Sequence, residues 1–371
     1  MLSKKEKTQY SKQIILREIG EIGQQAFKKS NVLVVGAGGL GCPVLLQLTT
    51  SGIGTIGIID NDFVALDNLP RQILYDYNSV NFLKVDQAVN KLATLNPNVN
   101  FIKYPKKLSS NNAIEIINRF DLVVDCSDNF PTRYLINDTC LLLNKPFIYG
   151  AIFKHEGQVA VLNYKSSATY RCLFPKVSNT TTNCSQSGVT PTLTNIIGSF
   201  QANEALKLII GYGKLLTNKV LIVNSFTAST SIIEFQRKSN NNYSKINLQF
   251  IENDSNYNNS CKNENNLTEL SIAEFNTIIK NDVQLIDVRE PMEKPIIDTL
   301  NAINIPISVL PKKTNLIEKH KKVVLFCNSG KRSKSAIALL QNNPYNFNNL
   351  ASLKGGIIQW KNTIKQPSET K

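Results

Sequence analysis

The chain has 371 residues, 42% hydrophobic and 19% charged, which is enough for two or more domains with separate cores and excludes a disordered protein. Seven cysteines, at positions 42, 126, 140, 172, 184, 261 and 327, are odd in number and widely spread, which argues against a disulfide scaffold and for reduced thiols. The formal charge of +14 suits nucleic acid, an anionic surface, a phosphate-bearing substrate or an acidic partner alike, and lysines scattered among Asn and Ile account for much of it.

The start, MLSKKEKTQYSKQ, is polar, and no apolar run approaches the roughly 18 residues of a membrane span, so a cytoplasmic protein with no membrane or nucleic-acid partner is expected. From Asn31 the order is strand, glycine turn, helix. NVLVVG is a continuous apolar strand, GAGGLG follows, and CPVLLQLTTSG has helical spacing closed by Gly52. TIGIID (55–60) predicts the next strand, LKVDQAVNKLATL a helix ended at Asn96-Pro97, NFIKY and DLVVD (121–125) buried strands, and TRYLINDTCLLLN a helix before PFIYG. This alternation predicts an α/β fold with a doubly wound, mostly parallel sheet. After Gly150, GQVAVLNY, KVLIVN and TSIIEF alternate as strands around a long helix over 193–210 and complete a first domain, 1–237. Residues 238–266 are rich in Asn, Ser and charge and read as a linker. A second, smaller α/β domain is expected over 267–371.

Gly36, Gly38 and Gly41 form G-x-G-x-x-G between a strand and a helix, where the backbone can approach phosphates; Gly39 lies within the same loop. Asp60, at the end of the next strand, stands where a carboxylate grips a ribose, so a nucleotide is expected. A nicotinamide dinucleotide fits this pattern too, although neither of the two histidines, His155 and His320, stands in a hydride-transfer motif. Asp62, Asn68, Arg71, Gln72 and Lys84 then supply cations and amides that suit a triphosphate better than a diphosphate. Asp128 and Asn129, in DCSDN, follow another strand end, and a carboxylate beside phosphates suggests Mg²⁺.

QYSKQIIL, GAGGLGCP, D-x-D with NLPRQ, Lys84, NPNV, CSDN with Arg133, and GSFQANEALKLI together resemble the E1-like family of molybdopterin-synthase adenylyltransferases and ThiF over residues 8–236. The resemblance implies a homodimer that uses ATP and Mg²⁺ to adenylate the C-terminal glycine of a ubiquitin-like sulfur carrier protein ending in Gly-Gly. By motif, Arg71 and Lys84 neutralise the phosphates, Asn68 orients them, Asp60 holds the ribose and Asp128 the metal. Lys12 stands where the family has an arginine that reaches the partner's site, with Arg17 as an alternative. Cys184, in a polar segment before a helix, matches the family cysteine that attacks the adenylate or links to the carrier. The family's zinc site of two C-x-x-C pairs retains only Cys172 and Cys261, with Thr169 in place of a cysteine, so no zinc is expected. Cys42, Cys126 and Cys140 lie on apolar faces and are read as core residues.

In the second domain, VVLFCNSGKRSKSAIALL reads as strand, short loop and helix, placing Cys327 amid backbone N–H groups with Lys331 and Arg332 nearby. With LIDVRE (285–290) and LKGGIIQW (353–360), C-N-S-G-K-R resembles the rhodanese family over 267–362. That implies Cys327 as a persulfide nucleophile, Arg332 as its charge stabiliser, and Asp287 and Arg289 as structural. A cysteine desulfurase or thiosulfate would supply the sulfur, which would pass to the activated carrier in molybdopterin or thiamine biosynthesis. Two alternatives remain open at this point: E1-like activation of another carboxylate with a regulatory rhodanese module, and nucleotide binding without chemistry.

Overall fold

The inner strands Asn31–Val35, Thr55–Ile59, Leu122–Asp125 and Lys322–Phe326 are buried along nearly their whole length because both faces of their sheets are covered there. A computed structural model of the chain describes residues 1–175, 188–238, 245–258, 268–293, 295, 299–341 and 345–364. These divide into two units, Met1–Ser260 and Cys261–Lys371.

In the first unit the polar start of the chain folds into three helices, α1 (Lys4–Gln9), α2 (Ser11–Ile14) and α3 (Gly20–Lys29). Ser3 and Glu6 cap α1 reciprocally, with the Glu6 N–H on Ser3 Oγ at 3.2 Å and the Ser3 N–H on Glu6 Oε2 at 2.7 Å. The series then runs β1 (Asn31–Val35), α4 (Gly41–Ser51), β2 (Thr55–Ile59), α5 (Lys84–Leu95), β3 (Asn100–Tyr104), α6 (Ala113–Asn118), β4 (Leu122–Asp125), α7 (Phe130–Leu142) and β5 (Phe147–Phe153). It closes with β6 (Glu156–Leu162), α8 (Tyr170–Leu173), α9 (Pro191–Ile210), β7 (Lys219–Asn224), β8 (Ser229–Glu234), α10 (Leu248–Glu252) and α11 (Ser255–Asn258).

The eight strands form one sheet in the order β3-β2-β1-β4-β5-β6-β7-β8. From β3 to β5 all pairings are parallel, and from β5 to β8 they are antiparallel. Val32 and Val34 of β1 point into the core under α4, α5 and α9, while Leu33 and Val35 point into the opposite core with α6 and α7, as the two-residue strand period requires. The strand order reverses between β1 and β4, which places a crevice at their carboxyl ends.

The expected linker, 238–266, departs from expectation along its described part. Asn247 caps α10 through the Phe250 N–H at 2.9 Å, and Ile251 and Tyr257 are buried in the core that contains α7. The few apolar residues in an Asn-rich stretch are spaced to lie on one surface, and composition averages them away.

The second unit runs β9 (Thr268–Leu270), α12 (Ile272–Ile278), β10 (Val283–Asp287), β11 (Ala302–Asn304), β12 (Lys322–Phe326), α13 (Lys331–Gln341), β13 (Leu350–Leu353) and α14 (Gly356–Ile364). Its five strands are all parallel, in the order β11-β10-β12-β13-β9. Val323 and Leu325 of β12 enter one core, and Val324 and Phe326 the other. Cys327 therefore emerges from the central strand at the sheet's carboxyl edge. Among the described residues no helix is long and apolar enough to cross a membrane.

Candidate active sites

Three loops of the first unit meet at the crevice between β1 and β4. Gly36 ends β1 at φ +97°, and a Cβ there would stand 2.8 Å from the carbonyl oxygen of Cys126, which follows β4. A Cβ on Gly41 would fall 2.0 Å from the Gly36 carbonyl oxygen, so the loop folds on itself at van der Waals contact. Asp60, after β2, fixes the loop from the other side: its Oδ2 accepts the Ala37 N–H and its Oδ1 the Asp62 N–H, both at 2.8 Å. Burial pushes the Asp60 carboxyl above its ordinary range, against the opposing charge of Lys84.

The expected cations are adjacent. Lys84, only 5% exposed at the start of α5, donates to Asp62 Oδ2 at 3.1 Å. Arg71 lies over Gly39, donates to the Asp67 carbonyl at 2.6 Å, and has its own carbonyl bonded by the Thr194 hydroxyl of α9. Asn68 closes a short turn instead of standing free, with Oδ1 on the Ala65 N–H at 3.4 Å and Nδ2 on Asp67 at 3.0 Å. Asp128 is exposed on the loop after β4, with the Asn129 amide on its Oδ1 at 3.3 Å. The Asn129 side-chain Oδ1 caps α7 by accepting the Thr132 N–H at 3.0 Å. Lys12 on α2 and Arg17 beyond it are exposed.

Three buried residues join the site beyond those to which the motifs assign a role. Gln72 is buried facing Gly38, and its Oε1 has no hydrogen-bond partner among the described residues. Asp125 is buried at the end of β4, its Oδ1 bonded by the Ser127 N–H and hydroxyl and its Oδ2 without a hydrogen-bond partner among the described residues; burial raises its proton affinity. Gln201 of α9 donates to the Asp125 carbonyl at 2.7 Å. A side chain on Gly150 would collide with it, which couples GSFQANEALKLI to the glycine before β6. The buried Lys84 and half-buried Arg71, an orphaned buried amide oxygen and a cradle without Cβ atoms fit a polyphosphate, and the exposed Asp128 fits a metal held jointly with such a ligand.

The thiols divide by environment. Cys42, Cys126 and Cys140 are buried, and burial pushes the Cys42 thiol up to about 12 and raises the other two. Cys172 is also buried, with its Sγ accepting the Thr169 N–H at 3.4 Å and the Lys238 N–H at 3.5 Å. Arg171 beside it grips Asp138 of α7 in a bidentate pair at 2.7 and 2.6 Å. Among the described residues no group of three or more His, Cys, Asp or Glu could hold a metal by itself. Cys184 and Cys261 lie outside the described residues.

Cys327 sits at the floor of the second unit's loop, 1% exposed, with Sγ 3.8 Å from the Ser333 hydroxyl. Ser333 bonds the Gly330 carbonyl at 3.0 Å and the Ser352 hydroxyl at 2.8 Å, fixing the loop to α13 and β13. LKGGIIQW acts here too: the Ile357 N–H bonds the Cys327 carbonyl at 2.8 Å, and a Cβ on Gly356 would lie 2.4 Å from that oxygen. Arg332 engages the carboxylate of Glu293, a residue with no signal in the sequence. Arg289 is buried on Asp287 and also reaches Asn328 Oδ1 at 3.1 Å, so LIDVRE supports the loop directly.

Comparison with known proteins finds matches over both units. The ThiF family matches residues 10–245, and the rhodanese-like domain matches residues 271–363. The chain is 35% identical to the adenylyltransferase and sulfurtransferase UBA4 of Meyerozyma guilliermondii, over 98% of this chain and 90% of that one. It is 44% identical to the sulfur carrier protein adenylyltransferase of Thermus thermophilus, over 61% of this chain and 86% of that one. The crystal structure of E. coli MccB with ATP shares the fold, with a TM-score of 0.57 at 22% identity, covering 63% of this chain and 74% of that one. The chain therefore belongs to the ThiF family and carries a rhodanese-like domain behind its adenylyltransferase-type unit.

Proposed function

We propose that the first unit uses ATP to adenylate the C-terminal glycine of a ubiquitin-like sulfur carrier protein ending in Gly-Gly, and that Cys327 supplies the sulfur that converts it to a thiocarboxylate. The observation that carries this reading is the union, in one chain, of the loop cluster at Gly36, Asp60, Arg71 and Lys84 with a cysteine loop built around Cys327. The names of two relatives support it, one of which spans nearly the whole chain and the other 61% of it.

The carrier's carboxylate oxygen attacks the α-phosphorus, and pyrophosphate leaves. Such transfers need positioning and charge neutralisation rather than covalent help from the protein. The backbone of Gly36, Gly38, Gly39 and Gly41 lies against the phosphates, Arg71 and Lys84 neutralise charge, Asn68 and Asn129 border the site, and Asp60 holds the ribose. Lys84 releases Asp62 to do so. Asp128 holds Mg²⁺, which supplies charge neutralisation at the phosphates. Lys12 serves the partner's site in a homodimer, with Arg17 one turn away. In the second step the outer sulfur of the Cys327 persulfide attacks the carbonyl and AMP leaves, giving an acyl disulfide. The Cys184 thiol then attacks the Cys327 sulfur, the carrier thiocarboxylate leaves with the electron pair, and the Cys184–Cys327 disulfide so formed is reduced by an external dithiol. A desulfurase-borne persulfide or thiosulfate recharges Cys327. Zinc has no part in either step.

The test uses Cys327→Ala. Pyrophosphate exchange dependent on carrier persists, and the carrier no longer exchanges one oxygen for one sulfur by intact mass. Normal thiocarboxylate formation by the variant would sink the proposal.

A further inference from the structure

Both arginines beside the Cys327 loop already hold a carboxylate. Arg289 sits on Asp287 at 2.6 to 3.0 Å. Arg332 sits on Glu293, one terminal nitrogen to each carboxylate oxygen. Glu293 is saturated: Oε1 also accepts the Glu290 N–H at 2.9 Å, and Oε2 the Asn328 amide at 2.8 Å. Asn328 and Arg332, the second and last residues of the loop, thus hang from one side chain that lies outside it.

We propose that Glu293 selects the sulfur donor of Cys327. By holding Arg332 it turns the loop away from free oxyanionic donors such as thiosulfate and towards hydropersulfides, R–S–SH, whose outer sulfur bears no oxyanion. The inference rests on the reading of Cys327 as the acceptor of sulfane sulfur. In the favoured step the Cys327 thiolate attacks the outer sulfur of R–S–SH, the donor S–S bond breaks, and R–S⁻ leaves with the electron pair. The proton stays on the sulfur now attached to Cys327. With thiosulfate the same attack expels sulfite, SO₃²⁻, whose dianionic precursor must first dock beside the loop. A docking dianion would need the Arg332 fork, and that fork is closed by a charge-assisted bidentate pair. Glu293 acts through Arg332 and is a positioning residue.

The experiment follows sulfur loading of Cys327 in the full chain by rapid quench and intact mass, with sodium thiosulfate and with cysteine hydropersulfide as separate donors. In Glu293→Gln, the ratio of the thiosulfate rate constant to the hydropersulfide rate constant rises about tenfold or more, through tighter thiosulfate binding that weakens with added salt. Adding Arg332→Met to that variant removes the gain. An unchanged ratio overturns the proposal, whether or not both rates fall together. Should Glu293→Gln fail to fold, Glu293→Asp, with a shorter and poorer grip, must move the ratio the same way by a smaller factor, and no movement there overturns it equally. No sulfur gain from either donor in the wild-type chain overturns the reading of Cys327 itself, a result distinct from an unchanged ratio.

Discussion

Ala37 and Asp60 are joined beside the first crevice, the Ala37 N–H donating to Asp60 Oδ2 at 2.8 Å while the Tyr75 hydroxyl donates to the Ala37 carbonyl at 2.7 Å. The second residue of the glycine loop is thus held through both its N–H and its carbonyl. Because the two Asp60 oxygens accept from two different N–H groups, an Asn there must turn its own NH₂ towards one of them. Asp60→Asn is expected to cost about 1–3 kcal/mol in urea unfolding, and to lower pyrophosphate exchange by more than the stability loss explains. Unchanged stability would mean that the carboxylate does not organise the loop.

Two glycines of the same loop separate folding from ligand approach. A Cβ on Gly41 would overlap the Gly36 carbonyl at 2.0 Å, whereas one on Gly38 would meet only the Gln72 amide at an ordinary 3.7 Å. Gly38→Ala should melt within a few degrees of wild type yet bind ATP at least tenfold more weakly by calorimetry. Gly41→Ala should lose several degrees or fail to accumulate folded. Equal stability for the two would refute the tight packing of Gly41 on Gly36.

How much of this was legible depends on spacing. β1, β2 and β4 are legible as short apolar runs, and GAGGLG, Asp60 and Lys84 converge as their order along the sheet edge requires. The polar α1 to α3 carry few apolar residues, so their helical form has little signal in the sequence. Gln201, Glu293 and Asn328 act on loops far away in sequence, Gln201 76 residues from Asp125 and Glu293 39 residues from Arg332. No periodicity encodes such a contact. Asn68 had the right residue type in the right motif, yet its side chain closes a turn, because Asn bonds its own neighbouring backbone readily.

Glu293 of the second unit and the buried Asp60 and Asp125 of the first should answer acid with opposite signs. Glu293 is held below its ordinary value of 4.5, first by the Arg332 hydrogen bond, so its stabilisation is fully present above that pH and is lost as pH falls through the lower folded value. Asp60 and Asp125 are raised by burial, so their charged forms weaken the first unit at neutral pH and protonation relieves it. Calorimetry of the full chain below pH 4.5 should show a steeper fall of the second unit's transition in wild type than in Glu293→Gln. Solvent at the partly exposed pair keeps the difference modest. Identical slopes would leave the pair without a stabilising role.

Ile251 decides whether residues 245–258 belong to the tether or to the first unit. It is completely buried in the core that holds Leu135 and Ile136 of α7, and Phe250 beside it packs edge-on to Tyr257 at 6.3 Å. The Arg171 guanidinium lies 6.0 Å from the Phe250 ring and 4.8 Å from that of Tyr134, so the same segment covers the turn that bears Cys172. A tether residue truncated to alanine changes nothing, whereas a core isoleucine leaves a cavity. Ile251→Ala is therefore expected to destabilise the first unit by about 2–4 kcal/mol in urea unfolding, with the second unit's transition unmoved. Because the buried Ile251 ties this turn to α7, the same variant should also make Cys172 react faster with a thiol reagent under native conditions, and protection equal to wild type would return the segment to the tether.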